Sequence, residues 1–454
     1  MIKIQNILLS FSLLLLSQII ASGQEVGDLL IKNATVITIT DGVKEETDVL
    51  VRNGKISQIG KNLTASGVEV IDASGQYVMP GIIDAHSHIG IDVVNEATDP
   101  NTSNVFVGDV INPFAIGIYR ALAGGVTTSH AMHGSANAIG GQCETIKHRW
   151  GVSDPDDMKM EDAPRTVKFA LGENPMRVHG ERYKTRPRTR MGVEQIFREA
   201  FAKAQDYMKE WETYNKAPNS ALAPPKYDLK METMADILRG EIIIHCHSYR
   251  ADEILMLISV LKDYGVDKIC FQHVNEGFKV APELAAYGAQ ASVFADWWAY
   301  KFEVYYSTAY NATILTRNGV ITSINSDSGE LIRHLYHEAA KTQRYGDLTD
   351  LEALKLITLH PAIQLGIGDR VGSIEVGKEA DIAIFSNHPL SIYAVPQKTI
   401  VDGVVRFDIE KNVSDMRIEV DPNEDVSAFI ESTKEHEEDR CMQDVFEYFS
   451  TTKK

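Results

Sequence analysis

The sequence predicts an α/β protein: a (β/α)8 TIM-type barrel joined to a small β-sandwich built from both chain ends. Three observations lead there. Strand-like apolar runs alternate with helical ones across residues 79–364, close to the ~250 residues such barrels use. Short alternating β text flanks that span on both sides, in residues 24–78 and 365–408. Polar residues close several of the strand-like runs, where a barrel assembles its chemistry.

In chain order, residues 1–23 read as a signal peptide. Lys3 supplies a basic start, Leu8 to Ile20 is mostly apolar, and Ala21-Ser22-Gly23 offers small residues for cleavage. The apolar core is short for a membrane span, so an exported protein, periplasmic or secreted and free of the membrane after cleavage, is expected. Leu30 to Thr38 and Asp48 to Ile56 alternate in the manner of strands, and Asn53-Gly54 is a hairpin signal. Pro80-Gly81 marks the passage into the barrel.

Seven barrel strands are expected, at Ile82 to His88, Val126 to Met132, Thr166 to Gly172, Ile242 to His247, Lys268 to His273, Ala289 to Ala295 and Val320 to Asp327. An eighth falls near Cys143 to His148. Helical text lies between them, the longest stretch running from Val193 to Tyr214. The second β flank returns in Gly372 to Phe385 and Lys398 to Val405. Residues 409–454 form an acidic extension, expected to be partly helical.

Composition narrows the function classes. A formal net charge of −18 argues against nucleic acid and anionic membrane as partners and says nothing positive about substrate; the small-molecule substrate expected here follows from the strand-end chemistry below. A homo-oligomer stays open. Four cysteines without Cys-x-x-Cys spacing provide neither a disulfide framework nor a structural zinc site.

The chemistry sits at the strand ends. In Asp84-Ala85-His86-Ser87-His88, strand alternation points both histidines to one face, where two imidazoles can ligate a metal ion. Later strands end in Glu173, in His245-Cys246-His247, in His273 and in Asp327. Alternation places His245 and His247 on the same face, so either can be the ligand. Histidines and carboxylates converging from neighbouring strand ends form a divalent-metal site with room for water.

These motifs resemble the amidohydrolase superfamily, and within it the imidazolonepropionase-like branch. Pro80 to His88 matches that family's opening motif, Asn325-Ser326-Asp327 its last-strand aspartate, and Thr358-Leu359-His360-Pro361-Ala362 its exit from the barrel. The resemblance implies a divalent metal, zinc first, at one or two per chain. His86, His88 and Asp327 would hold one ion, and His245 and His273 a second. Glu173 is the preferred bridge, with Lys168 and Lys147 as alternatives. His245 is preferred over His247, which becomes a substrate contact together with His133, Gln142, Arg177, Trp298 and Tyr300. Asp327 and His273 are the expected catalytic pair: Asp327 moves a proton from water to the leaving nitrogen while a histidine or metal polarises the substrate oxygen. The implied activity is hydrolysis of a C–N bond in a cyclic amide, N-acyl amino acid or peptide. The alternatives are deamination of a ring amidine at a single metal, or a silent relative that only binds.

Overall fold

The computed structural model describes residues 24–216, 223–297 and 300–411. The expected signal peptide lies outside the described residues, as does the acidic extension from residue 412 onward.

Two sheets organise the chain. The first holds β1 (Leu29–Ile37), β2 (Val43–Arg52), β3 (Lys55–Gly60), β4 (Glu69–Asp72) and β5 (Tyr77–Pro80) from the N-terminal flank. It is completed by β14 (Ile382–Phe385), β15 (Pro396–Val401) and β16 (Val404–Asp408) from the other. Its order is β16-β15-β14-β5-β1-β2-β3, with β4 alongside β1, so strands from the two flanks meet at the antiparallel β5–β14 pair. The Asn53-Gly54 turn joins β2 to β3 with both residues in the left-handed region, φ 50° and 70°, as a two-residue hairpin requires. Leu29, Ile31, Val49, Val51, Ile56, Ile382 and Ile400 form the core of this sheet.

The second sheet is a nearly closed eight-stranded barrel: β6 (Ile82–Ser87), β7 (Val126–Ala131), β8 (Ile139–Lys147), β9 (Arg165–Ala170), β10 (Ile242–Ser248), β11 (Ile269–His273), β12 (Gln290–Val293) and β13 (Thr322–Ile324), adjacent in that order. The expectation of a regular βα repeat is corrected at β8, which runs antiparallel to both β7 and β9. Its hairpin with β7 takes the place of a crossover helix. The other neighbours pair in parallel, and helices such as Ala251–Tyr264 and Leu335–Gly346 pack outside. The Ala251–Tyr264 helix ends on Gly265 at φ 72°, a left-handed C-cap that only glycine takes cheaply.

Gly81 joins the two sheets. Its N–H donates to the Asp381 carbonyl at 2.8 Å, and a Cβ there would lie 2.1 Å from the Thr127 hydroxyl. A deeper tie is Lys147, fully buried on β8. Its ammonium is 3.1 Å from Asp381 and also pairs with Asp402 and Glu379, while Arg149 meets Asp402 at 2.6 Å. Lys147, an alternative metal bridge from sequence, is thereby placed in the sheet–barrel junction.

Candidate metal centre

The ends of β6, β11 and β13 bring three groups together. One ligand atom from each of His86, His273 and Asp327 lies within 4.8 Å of the others, and all three residues are buried. His88 joins them: its Nε2 is 3.1 Å from Asp327 Oδ1, against 3.5 Å for His86 Nε2. His273 Nε2 is 3.8 Å from the second carboxylate oxygen. Two of these residues leave their strands in the left-handed region, His273 at φ 68° and Asp327 at φ 44°, and Val274 follows at φ 47°. Such backbone is costly for residues other than glycine and clusters at functional sites.

The donor set fits a cation. His88 Nδ1 lies 2.8 Å from the Met132 carbonyl, which can only accept, so Nδ1 carries the proton and Nε2 presents its lone pair to Asp327. A lone pair facing a carboxylate oxygen needs a cation or proton between them. Both ring nitrogens of His273 and Asp327 Oδ1 are buried without a hydrogen-bond partner. Burial pushes the imidazoles of His86, His245 and His247 well below the ordinary histidine range, and His273 to about 3, so their neutral forms are favoured at pH 7. Burial raises the Asp327 carboxyl, but the positive charge around it, including that of Lys168, outweighs burial and holds the group below its usual range.

Lys168 reaches this group of side chains from β9. It is fully buried on β9, and its Nζ donates to His86 Nε2 at 3.0 Å. Glu173 sits elsewhere. Gly172, at φ 80°, lies just past the end of β9 at Ala170. The Glu173 carboxylate then pairs with Arg177 at 2.9 Å and Lys301 at 3.3 Å, and its N–H donates to Glu303 at 3.1 Å.

The β10 histidines occupy different levels. The His247 ring packs at 4.8 Å from His273, which packs at 4.7 Å from His86, and both His247 nitrogens are buried and unpartnered. His245 lies two residues deeper, against His130 at 4.4 Å, with its Nδ1 2.9 Å from the Gln272 amide.

The expected substrate contacts divide. Tyr300 lies near the site, its hydroxyl donating to the Tyr249 hydroxyl at 3.1 Å, and Arg177 stands beside Glu173. His133 uses one ring nitrogen to accept the Glu96 N–H at 2.9 Å and the other on the Gly134 carbonyl. Gln142 bonds Ser103, Thr233 and Arg165. Both residues tie neighbouring segments together. Trp298 lies outside the described residues.

Three residues near His273 carried no reading from sequence. Tyr249 and Phe294 flank its ring at 5.5 and 4.6 Å, and Lys301 Nζ stands 4.1 Å over the Tyr249 ring. Nothing in the local text marks Phe294 or Lys301. Asp84 did leave a signal: a carboxylate inside an apolar strand, in phase with His86.

Comparison with known proteins identifies the family. The Amidohydrolase family model matches residues 235–407. A crystal structure of an amidohydrolase from Thermotoga maritima MSB8 is similar at TM-score 0.78 and 37% identity, covering 84% of this chain and 100% of that one. The chain belongs to the amidohydrolase family. Amidohydrolase tasK of Hapsidospora irregularis is 33% identical over 393 residues, 80% of this chain and 40% of that protein, so the chain spans about two fifths of that relative. A dihydroorotase of Trichlorobacter lovleyi is 40% identical over 113 residues, 25% of this chain and 23% of its own length.

Proposed function

We propose that this amidohydrolase is a metal-dependent hydrolase of C–N bonds. The observation that carries the proposal is the buried convergence of His86, His273 and Asp327, joined by His88 Nε2 at 3.1 Å from Asp327 Oδ1, with both His273 ring nitrogens left without a hydrogen-bond partner. His86, His88, His273 and Asp327 would hold the ion, with His247 taking the strand-five position in preference to His245. Lys168 replaces Glu173 as our choice of bridging group, in the form of a carbamate: its neutral amine would add CO2 and release a proton, giving an anionic group with two oxygen ligands. Imidazole and carboxylate ligands suit zinc.

When bound, a divalent ion supplies Lewis acidity and lowers the pKa of water towards ~7. Asp327, held as a carboxylate, accepts the proton of the attacking water and delivers it to the leaving nitrogen. Tyr249 and Phe294 hold the His273 ring between them and keep bulk water from that side of the site. Glu303 ties the segment after β9 to the segment after β12 through the Glu173 N–H, which keeps Lys301 and Tyr300 at the mouth.

The similarity to a dihydroorotase supports a cyclic amide among the substrates, with N-acyl amino acids and dipeptides beside it. On the motif Pro80 to His88 we place the chain near the imidazolonepropionase-like branch, and we read the two-ended sheet as the family's small β-sandwich. On its first residues we read the protein as exported. Metal analysis of the purified protein, followed by a panel of cyclic ureides, N-acyl amino acids and dipeptides, tests the proposal. One or two transition metals per chain, with turnover abolished in Asp327→Asn, is expected. No bound metal and an Asp327→Asn variant indistinguishable from the parent would overturn it.

A further inference from the structure

We infer that Asp84 is a positioning residue that sets the separation of His86 and Asp327 and thereby the geometry of the metal centre. The inference rests on the metal-centre reading above. Asp84 is fully buried, and each of its carboxylate oxygens is engaged. Oδ1 accepts the His86 N–H at 3.2 Å and the Ser326 N–H at 3.1 Å, and Oδ2 accepts the Ser326 hydroxyl. Ser326 is the residue before Asp327, whose own N–H donates to the His86 carbonyl at 3.1 Å. One side chain therefore binds the backbone of one ligand and the residue adjoining another.

The location explains why such a clamp is needed. β6 and β13 stand at the two ends of the barrel's strand order, so their seam is the one place where no ladder sets the register. β13 is only three residues long and ends at Ile324, three positions before Asp327. Asp327 then adopts φ 44°, a conformation that persists in a non-glycine residue only when its surroundings enforce it. The Asp84 carboxylate supplies that enforcement from 242 residues away in sequence. This clamp needs one acceptor oxygen that takes both N–H groups and a second polar atom beside it for the Ser326 hydroxyl. Asparagine keeps the oxygen that takes both N–H groups, and Ser326 can rotate to accept from its amide. Alanine keeps neither.

The test titrates full-length, metal-stripped protein with Co2+, reading affinity and the visible absorption of the bound ion, for the parent and for Asp84→Ala, Asp84→Asn and Ser326→Ala. Loss of an outer partner of this kind costs about 10- to 100-fold in metal affinity. We expect that loss in Asp84→Ala, with an altered cobalt spectrum and a fall in kcat at nearly constant KM. Asp84→Asn should recover most of the affinity and the parental spectrum, and Ser326→Ala should fall between. Parental affinity and spectrum in Asp84→Ala would overturn the inference. Should Asp84→Ala fail to fold, parental behaviour in Ser326→Ala overturns it instead. A parent protein that binds no cobalt removes the metal-centre reading itself, and this inference with it.

Discussion

Lys168 Nζ and His86 Nε2 meet at 3.0 Å across the barrel interior, with both residues fully buried. An ammonium enclosed among imidazoles is costly, and carboxylation of the Lys168 amine by CO2 would replace it with an anionic carbamate able to ligate the metal. Lys168→Met should therefore remove metal from the protein, to less than about a tenth of parental content, and lower kcat/KM at least ~100-fold. Glu173→Gln should leave metal content unchanged, because its partners are Arg177 and Lys301. Elemental analysis of the two variants decides it. Full metal in Lys168→Met and loss in Glu173→Gln would reinstate Glu173.

The two β10 histidines make a second contrast. His247 is in ring contact with His273, and His245 is in contact with His130 one level down. His247→Asn is expected to reduce metal stoichiometry and kcat together. His245→Asn should keep the metal, because the Gln272 amide can bond asparagine in place of the imidazole. The reverse pattern in metal content would return the ligand role to His245.

These contrasts also show where sequence reasoning stops. The β6, β10 and β11 strands were legible because apolar runs end in histidines, and alternation assigns a face to each side chain. Alternation gives a face but not a depth, so it could not separate His245 from His247. Glu173 looked favourable because it follows a strand. It pairs there with Arg177 and Lys301, while the long Lys168 side chain reaches the site from inside the strand. The antiparallel β8 was hidden for another reason: its text is strand-like, but the expected βα rhythm gave no place for a hairpin. Asp84 was visible as a polar residue in an apolar run, yet its partner Ser326 is 242 positions away, and only the closed barrel brings them together.

Glu253 links pH to stability away from the metal centre. Burial pushes its carboxyl up to about 7, against the pull of Arg190, whose Nε lies 2.8 Å from its Oε1. In the unfolded chain the same group titrates near 4.3. A raised folded pKa means the folded state holds the proton more tightly. Its contribution is thus fully present below the unfolded value and is lost as pH rises through about 7. Relative to Glu253→Gln, the parent should lose about 1–3 kcal/mol between pH 4.5 and 8. Urea unfolding of both proteins across that range checks the slope, and a constant difference would refute it.

The junction between the two sheets makes the last prediction. Lys147 is fully exposed to carboxylates and fully hidden from water, with Asp381 at 3.1 Å and Asp402 and Glu379 in contact. Burial pushes the Asp381 carboxyl up to about 6 even beside the ammonium. Removing the cation leaves three acidic groups facing one another, with only Arg149 and Arg370 on their far sides. Breaking a buried pair by deleting one partner costs about 3–5 kcal/mol, much more than a surface ion pair is worth. Lys147→Met keeps the length of the side chain and loses the charge, so it should destabilise by that amount in chemical denaturation. Its metal content should stay parental, because the junction is separate from the β6, β11 and β13 strand ends. Lys147→Arg should recover little, since the planar guanidinium does not fit a cavity shaped to a point charge. A Lys147→Met protein as stable as the parent would mean that the carboxylates protonate at little cost, and the junction would then be held by apolar packing alone.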